Sequence, residues 1–225
     1  DIANMRSNNV VVNATTVGTN SWNNAAFGVV NGAYSAITGA YDGGGFRPNS
    51  AQNFGATITG SLNSIESKTA SSNYSGIANS IVGVANRTFN SNGSLIYGAG
   101  NEITNSVEDI YSAPTSGGNS PEALAQNLRR VIKESNGGGS TMAFGGGNRA
   151  DYTLRTAMIG VNNTVTGTSR RSSTYNSITG FKNVATNVNH VSIIGSENEI
   201  ENTDDALVLC LLYTSPSPRD STSSR

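Results

Sequence analysis

The sequence predicts an all-β fold, a β-solenoid that is interrupted by one helical insertion. A short motif of apolar residues followed by glycine recurs, with several copies fifteen residues apart, and fixed periods of this kind are typical of repeat architectures. Glycine and asparagine are abundant, whereas charged residues make up only 13% of the chain, a balance that favours short strands and many turns. Only one segment has the spacing of an amphipathic helix.

The repeat unit consists of two or three small or apolar residues, a glycine, two variable residues, an asparagine and usually one more apolar residue. Copies are seen in SLIYGAGNEI and VSIIGSENEI. The glycines of the clear copies are Gly83, Gly98, Gly145, Gly160, Gly180 and Gly195, and looser copies contain Gly28, Gly39 and Gly60. Because Gly160 and Gly180 are twenty residues apart rather than fifteen, the segment between them is expected to contain a loop.

Each unit predicts one coil with two short strands and two turns. Adjacent side chains of a strand face opposite sides, so the pair Ile193 and Ile194 requires an apolar environment on both faces. One face covers the solenoid core, and copies of the same chain are the economical cover for the other. The glycine allows a turn in which a Cβ would clash. The following asparagine, such as Asn198, is expected to bond its own backbone and to tolerate a left-handed conformation.

These patterns divide the chain into five parts. Residues 1–24 are interpreted as the edge of a fragment cut from a longer protein, since the chain begins DIANMRSNNV without an initiator methionine. Residues 25–104 and 141–209 contain the repeats, and residues 105–140 form an insertion between them. The last sixteen residues, 210–225, break every preceding trend.

The tail CLLYTSPSPRDSTSSR is interpreted as sequencing-adapter read-through rather than native sequence. It contains the only cysteine of the chain, Cys210, and one choice of codons for it resembles a transposon end and adapter used in short-read libraries. Position 210 is also where the next repeat glycine is expected, fifteen residues after Gly195. The alternative is a flexible tail rich in serine and proline. On the first interpretation Cys210 has no functional role.

The insertion contains the predicted helix, at about 121–134. Ser120 is suited to cap it, Pro121 to its first position and Glu122 to its positive end. The apolar residues form a stripe at helical spacing, and they are Leu124, Leu128, Val131 and Ile132. This stripe must pack on the solenoid flank or on another chain. The insertion is accordingly either a packed structural excursion or an arm that contacts a receptor.

The repeats resemble the heads of a known family. The segments ANSIVGVANRTFNSNGSLIYGAGNEITNS and NHVSIIGSENEIENTDDALVL are similar to the head repeats of trimeric autotransporter adhesins, the YadA-like heads. The resemblance covers roughly residues 25–104 and 141–209 and implies a left-handed parallel β-roll. It also implies a homotrimer at the bacterial cell surface, exposed on the outer membrane and attached through an anchor outside this fragment. The implied function is virulence-related attachment to host extracellular matrix, a cell-surface protein or other cells.

No residue pattern predicts catalysis, a cofactor or a metal. His190 is the only histidine and is interpreted as a turn residue. The acidic residues near the end are interpreted as a solvated face rather than a cation site, and they are Glu197, Glu199, Glu201, Asp204 and Asp205. A formal charge of −1 gives no reason to expect nucleic acid as a partner, and no apolar run reaches the length of a membrane span.

Two other functions compete with a non-enzymatic adhesin. A carbohydrate-active β-helix enzyme would need carboxylates that converge in a cleft, whereas the acidic residues are scattered along the sequence. An ice- or surface-binding solenoid would need a flat ladder of one residue type. The outer positions of the repeats share none, as these residues show: Arg87, Glu102, Arg149, Thr164 and Glu199.

Overall fold

A computed structural model describes residues 14–38, 52–67, 75–108, 110 and 120–209, and it contains two parallel β-sheets and one helix. The strands in chain order are β1 Thr15–Val17, β2 Trp22–Asn23, β3 Val29–Asn31, β4 Ala36–Thr38, β5 Thr57–Ser61, β6 Ser64–Glu66, β7 Ser80–Val84, β8 Arg87–Phe89, β9 Leu95–Ala99, β10 Glu102–Thr104, β11 Met142–Gly146, β12 Arg149–Asp151, β13 Thr153–Leu154, β14 Ala157–Val161, β15 Thr164–Thr166, β16 Ser173–Thr174, β17 Ser177–Phe181, β18 Val184–Thr186, β19 Asn189–Ser196, β20 Glu199–Glu201 and β21 Asp204–Leu209.

Successive coils stack strand on strand, so every described pairing is parallel and joins one coil to the next. Sheet A follows the order β1-β3-β5-β7-β9-β11-β14-β17-β19, with β21 and the short strands β16 and β13 also linked to it through β19. Sheet B follows the order β2-β4-β6-β8-β10-β12-β15-β18-β20. Each coil from β1 to β20 thus contributes one main strand to each sheet, as a solenoid requires, and β13 and β16 are additional short strands.

The core lies between the two sheets and consists mainly of the second residue of each repeat strand. In β9 the second residue, Ile96, is fully buried, and Ile103, the second residue of β10, is also buried in the same coil. The same two positions contain Met158 and Val165 two coils later, again with no exposed surface. One apolar side chain from most of the short strands therefore builds a core along the stack, which one coil could not form alone.

The solenoid begins earlier than the sequence indicated, and the expected loop between Gly160 and Gly180 is followed by a short additional strand. Strands β1 and β2 already lie within residues 1–24, and β1 pairs in register with β3. Sequence analysis did not identify these strands because they are polar: Thr16 of β1 occupies the position that isoleucine occupies in β5 and β7. The long interval before Gly180 includes the short strand β16, which pairs with β13.

The helix α1 spans Pro121–Glu134, and Ser120 caps it by accepting a hydrogen bond from the Ala123 amide. Three residues of its apolar stripe, Leu128, Val131 and Ile132, pack in a second cluster with residues of the solenoid flank, namely Ala26, Phe54 and Ile77, and with Ile110 of the insertion. The flank of the same chain therefore covers the stripe. Strand β9 pairs directly with β11, so the coils stack across the insertion as if it were absent.

Candidate interaction surface

The repeat glycines form a ladder through sheet A. Seven of the predicted glycines are in register on adjacent strands, and they are Gly60, Gly83, Gly98, Gly145, Gly160, Gly180 and Gly195. A Cβ at Gly83 would collide with the carbonyl oxygen of Gly98, and its φ of 134° lies in a region that other residues avoid. Glycine is needed at this position because the next coil approaches at main-chain distance.

Two other predicted glycines do not belong to the described ladder. Gly28 precedes β3 and packs against Ala25, while the ladder position of that coil is occupied by Gly32, whose Cβ would meet Gly60. Gly18 continues the ladder one coil further. Sequence reasoning missed Gly32 because the polar Asn31 precedes it instead of an apolar residue. Gly39 lies outside the described residues.

The repeat asparagines form a buried ladder inside the solenoid, so the prediction that they occupy local left-handed turns is wrong. The left-handed residue is the one before, for example Glu197 at φ 58°. The asparagine side chains instead bond to the neighbouring coils. The ladder consists of Asn63, Asn86, Asn101, Asn148, Asn163, Asn183 and Asn198.

Asn101 illustrates the geometry of each step of the asparagine ladder. Its side-chain amide donates to Oδ1 of Asn86 at 3.0 Å and to the carbonyl of Gly145 at 2.8 Å. Its own Oδ1 accepts from the backbone N–H and from Nδ2 of Asn148, at 3.0 and 2.9 Å. Since Asn101 is only 1% exposed, these bonds satisfy polar groups that water cannot reach.

On the outward face of sheet A, residues at equivalent positions of successive strands form columns, and the first and third columns, which lie on either side of the buried core residue, contain no charged side chain in the described strands. We call this surface the apolar face. Its first and third columns contain Leu95 and Tyr97 in β9, and Leu207 and Leu209 in β21. The exposed large apolar side chains on it are Val17, Val29, Val84, Tyr97, Met142, Ile159, Val161, Phe181, Ile194, Leu207 and Leu209. Large exposed apolar patches on soluble proteins usually mark an interaction site.

Between β6 and β12 the outward face of sheet B has the opposite character, because ion pairs link its strands. Arg87 bonds to Glu66 at 2.9 Å and to Glu102 at 2.7 Å, and Glu102 also lies 3.8 Å from Arg149. The four residues belong to successive strands, so opposite charges alternate along the stack. The hydrogen bond from Arg87 lowers the pKa of Glu66, although partial burial opposes the shift.

Two columns of left-handed residues border the apolar face. One of these left-handed columns includes Tyr175 and His190, with φ of 59° and 53°. They lie two residues before Ser177 and Ser192, which pair at the start of the apolar columns of β17 and β19. The other includes Lys182 and Glu197, two residues after the repeat glycine, with φ of 52° and 58°. Tyr175 and His190 stack with ring centroids 4.9 Å apart.

The remaining candidate residues do not assemble into a chemical centre. His190 Nδ1 lies 3.6 Å from Asp205, and Asn189 together with Arg171 lowers the pKa of Asp204. Within residues 14–38, 52–67, 75–108, 110 and 120–209, no group of histidine, cysteine and acidic side chains is arranged to hold a metal ion. In the same part of the chain, no helix has the length and apolarity needed to cross a membrane.

Comparisons with known proteins give no family assignment. No family model, no curated protein and no solved structure matches this chain.

Proposed function

We propose that this chain is a head-domain fragment of a trimeric surface adhesin, a non-enzymatic protein that attaches a bacterium to host matrix or to other cells. The sequence resemblance to YadA-like heads supports the proposal, and so does the parallel two-sheet solenoid with one helix. In this proposal the coils have the left-handed sense of that family. The chain lies on the cell surface and reaches the outer membrane only through an anchor outside the fragment.

The apolar face carries the argument for a homotrimer. Ile159 and Ile194 on this face are 49% and 54% exposed in the single chain, and no charged residue interrupts the columns in which they lie. Charge depletion with aromatic and aliphatic enrichment characterises the centre of protein interfaces. The charged face of sheet B would remain in water, so two sheets of one coil have distinct roles.

Attachment then follows from geometry and copy number rather than from chemistry. A solenoid provides a long, stiff surface, and three copies multiply weak contacts by avidity without any new chemical group. The parts left exposed by the trimer are sheet B, the outer side of α1 and loops such as the one with Arg170 and Arg171. These surfaces are where host matrix or cell-surface proteins would bind.

The oligomeric state is the first test. Sedimentation equilibrium of the full chain should give about three times the chain mass, because the apolar face requires cover. Ile159→Glu should dissociate the trimer, because it buries a charge in the interface. Thr164→Glu on sheet B is the matched control and should leave the mass unchanged. A stable, folded wild-type monomer at micromolar concentration would refute the proposed assembly.

The adhesive activity needs its own test. Beads coated with the wild-type trimer or with the Ile159→Glu monomer are passed under flow over matrix proteins and over bacterial cells. We expect retention of the trimer beads and much weaker retention of the monomer beads. If neither is retained on any of these surfaces while the protein hydrolyses a polysaccharide, the adhesin proposal fails and a carbohydrate-active enzyme replaces it.

A further inference from the structure

One arginine joins both ends of the insertion to the solenoid. Arg155 directly follows β13, in the coil that comes after the insertion, and its side chain is only 18% exposed. Its guanidinium forms an ion pair with Glu108, which lies before α1 in the sequence. Its Nε donates to the carbonyl of Asn136, which lies after α1, at 3.3 Å. The two segments that flank α1 therefore meet at a single side chain.

Other contacts restrict the position of Arg155. Its backbone N–H donates to the carbonyl of Gly139 at 2.7 Å, and its φ of 48° places it in a left-handed turn. Its guanidinium also lies over the ring of Tyr175, 5.4 Å from the ring centroid, in a cation–π contact. Because these contacts already restrict the arginine, little further freedom is lost when it binds the two segments.

The helix itself contacts the solenoid only through apolar side chains. Of its fourteen residues only Val131 is buried, and Leu128 and Ile132 are partly buried in the same cluster. Among the described residues, the polar bonds of the α1 side chains stay within the helix and its N-cap, as in the ion pair of Arg130 with Glu134. The helix body is therefore held by a small apolar contact without hydrogen bonds to the flank.

The coils on either side of the insertion stack without help from the helix. Strand β9 pairs with β11 in register, with Gly98 opposite Gly145, and the side chain of Asn101 accepts hydrogen bonds from Asn148 across the same boundary. Loss of the helix contact would leave these bonds in place. An element with few buried contacts of its own is expected to open locally, at a lower free energy than global unfolding.

We propose that Arg155 is a clasp that controls the docking of α1, and that the helix leaves the solenoid flank as one unit when the clasp opens. The closed clasp hides the apolar stripe of α1 and the flank residues Phe54 and Ile77. The open clasp exposes both surfaces while the stack of coils persists. This conformational device goes beyond the proposed adhesin function and depends neither on it nor on the trimer.

The ion pair gives the clasp a physical trigger. The side chain of Glu108 is 42% exposed, so dissolved ions reach the carboxylate and screen its attraction to Arg155. The apolar contact of Val131 carries no charge and is not screened. Rising ionic strength should therefore open the clasp without directly weakening the apolar contact of the helix.

Hydrogen exchange of the full chain, followed by mass spectrometry, tests the clasp. Arg155→Met keeps an unbranched side chain but removes the charge and the donors. The α1 amides of this variant should exchange about tenfold faster, because bonds to charged groups are among the stronger ones a side chain forms. The amides of β9 and β11 should keep their wild-type rates. Arg170→Met, at an exposed arginine of the loop before β16, is the matched control and should change neither set.

Salt dependence provides a readout that a purely apolar contact would not give. Between about 0.1 and 1 M sodium chloride the Debye length falls from about 10 Å to about 3 Å. Exchange of the α1 amides should accelerate over this range in the wild-type chain. It should not accelerate in Glu108→Gln, which keeps the shape of the side chain but removes its charge. This second variant also tests the clasp if Arg155→Met fails to fold.

The outcomes decide the proposal separately from the adhesin function. Wild-type exchange of the α1 amides in both Arg155→Met and Glu108→Gln would overturn the clasp. Faster exchange of α1 together with β9 and β11 would also overturn it, because the helix would then open only with the solenoid. The same salt response in Glu108→Gln as in the wild-type chain would overturn the ionic trigger. A monomeric or non-adhesive chain that shows the expected exchange pattern would support the clasp and refute only the adhesin proposal.

Discussion

The asparagine ladder makes a quantitative prediction for Asn101→Ala. The substitution removes two donated and two accepted hydrogen bonds, and it leaves the buried backbone N–H of Asn148 without its acceptor. An orphaned buried donor costs about 1–3 kcal/mol, and each lost bond to Asn86 and Gly145 contributes about 1 kcal/mol net. The free energy of unfolding should therefore fall by about 3–5 kcal/mol.

A second variant at the same position separates lost bonding from lost volume. Asn101→Asp keeps the shape of the side chain but replaces the amide donor with an oxygen that faces Oδ1 of Asn86 and the carbonyl of Gly145, both acceptors. Burial of an unpaired charge adds to this repulsion, so we expect the aspartate variant to be less stable than the alanine variant at neutral pH.

The assay is urea unfolding followed by circular dichroism at one protein concentration, because assembly shifts apparent stability by mass action. Asn127→Ala is the matched control. It removes the same side chain from the surface of α1, where it accepts a hydrogen bond from Arg130, and surface substitutions of this kind usually change stability by about 0.5 kcal/mol or less. Equal unfolding midpoints for Asn101→Ala and Asn127→Ala would refute the reasoning.

Three further predictions concern the glycine ladder, the ion ladder and the helix. Gly160→Val should lower the unfolding midpoint far more than the exposed change Thr168→Val, because its Cβ would collide with the next coil; equal midpoints would contradict the register. Arg87 lowers the pKa of Glu66 in the folded state. The ionised Glu66 therefore stabilises the fold at pH values above its unfolded-state pKa, and this stabilisation is lost as the pH falls through the folded-state pKa. Glu66→Gln should therefore reduce the acid dependence of stability between pH 6 and pH 3, by up to about 1 kcal/mol for such an exposed pair, and an unchanged pH profile would exclude this role. Val131→Asp should speed hydrogen exchange of the helix amides, because it places a charge in the buried contact with the flank, and unchanged exchange would mean that the contact is not formed.

The repeat was predictable because its signals are local. A glycine that must leave room for the next coil recurs at a fixed spacing, and seven of the nine glycines identified in this way are in the described ladder. The helix was predictable for the same reason, since capping and apolar spacing are properties of one segment. Gly32 was missed because the residue before it, Asn31, departs from the pattern.

The contacts between coils were not predictable from one unit at a time. Asn198 was expected to bond within its own turn, but an amide that both donates and accepts can continue a column when an identical amide lies one coil away. Arg87 and Glu102 were set aside because they share no residue type. The two residues carry opposite charges and lie opposite each other on adjacent strands, so they form an ion pair.

The surface available for assembly also could not be predicted without the strand register. Sequence alone shows only that Ile193 and Ile194 are both apolar; stacking places the first in the core at 0% exposure and the second on the apolar face at 54%. Once the register is known, each side chain on this face acquires a height along the solenoid axis. In the proposed trimer, cyclic symmetry would preserve that height, so a substitution such as Ile194→Glu would introduce its charge at one level only. Its effect on sedimentation should consequently match that of Ile159→Glu, although the two residues lie two coils apart. A dissociated Ile159→Glu variant beside a fully trimeric Ile194→Glu variant would mean that the face is not used along its whole length.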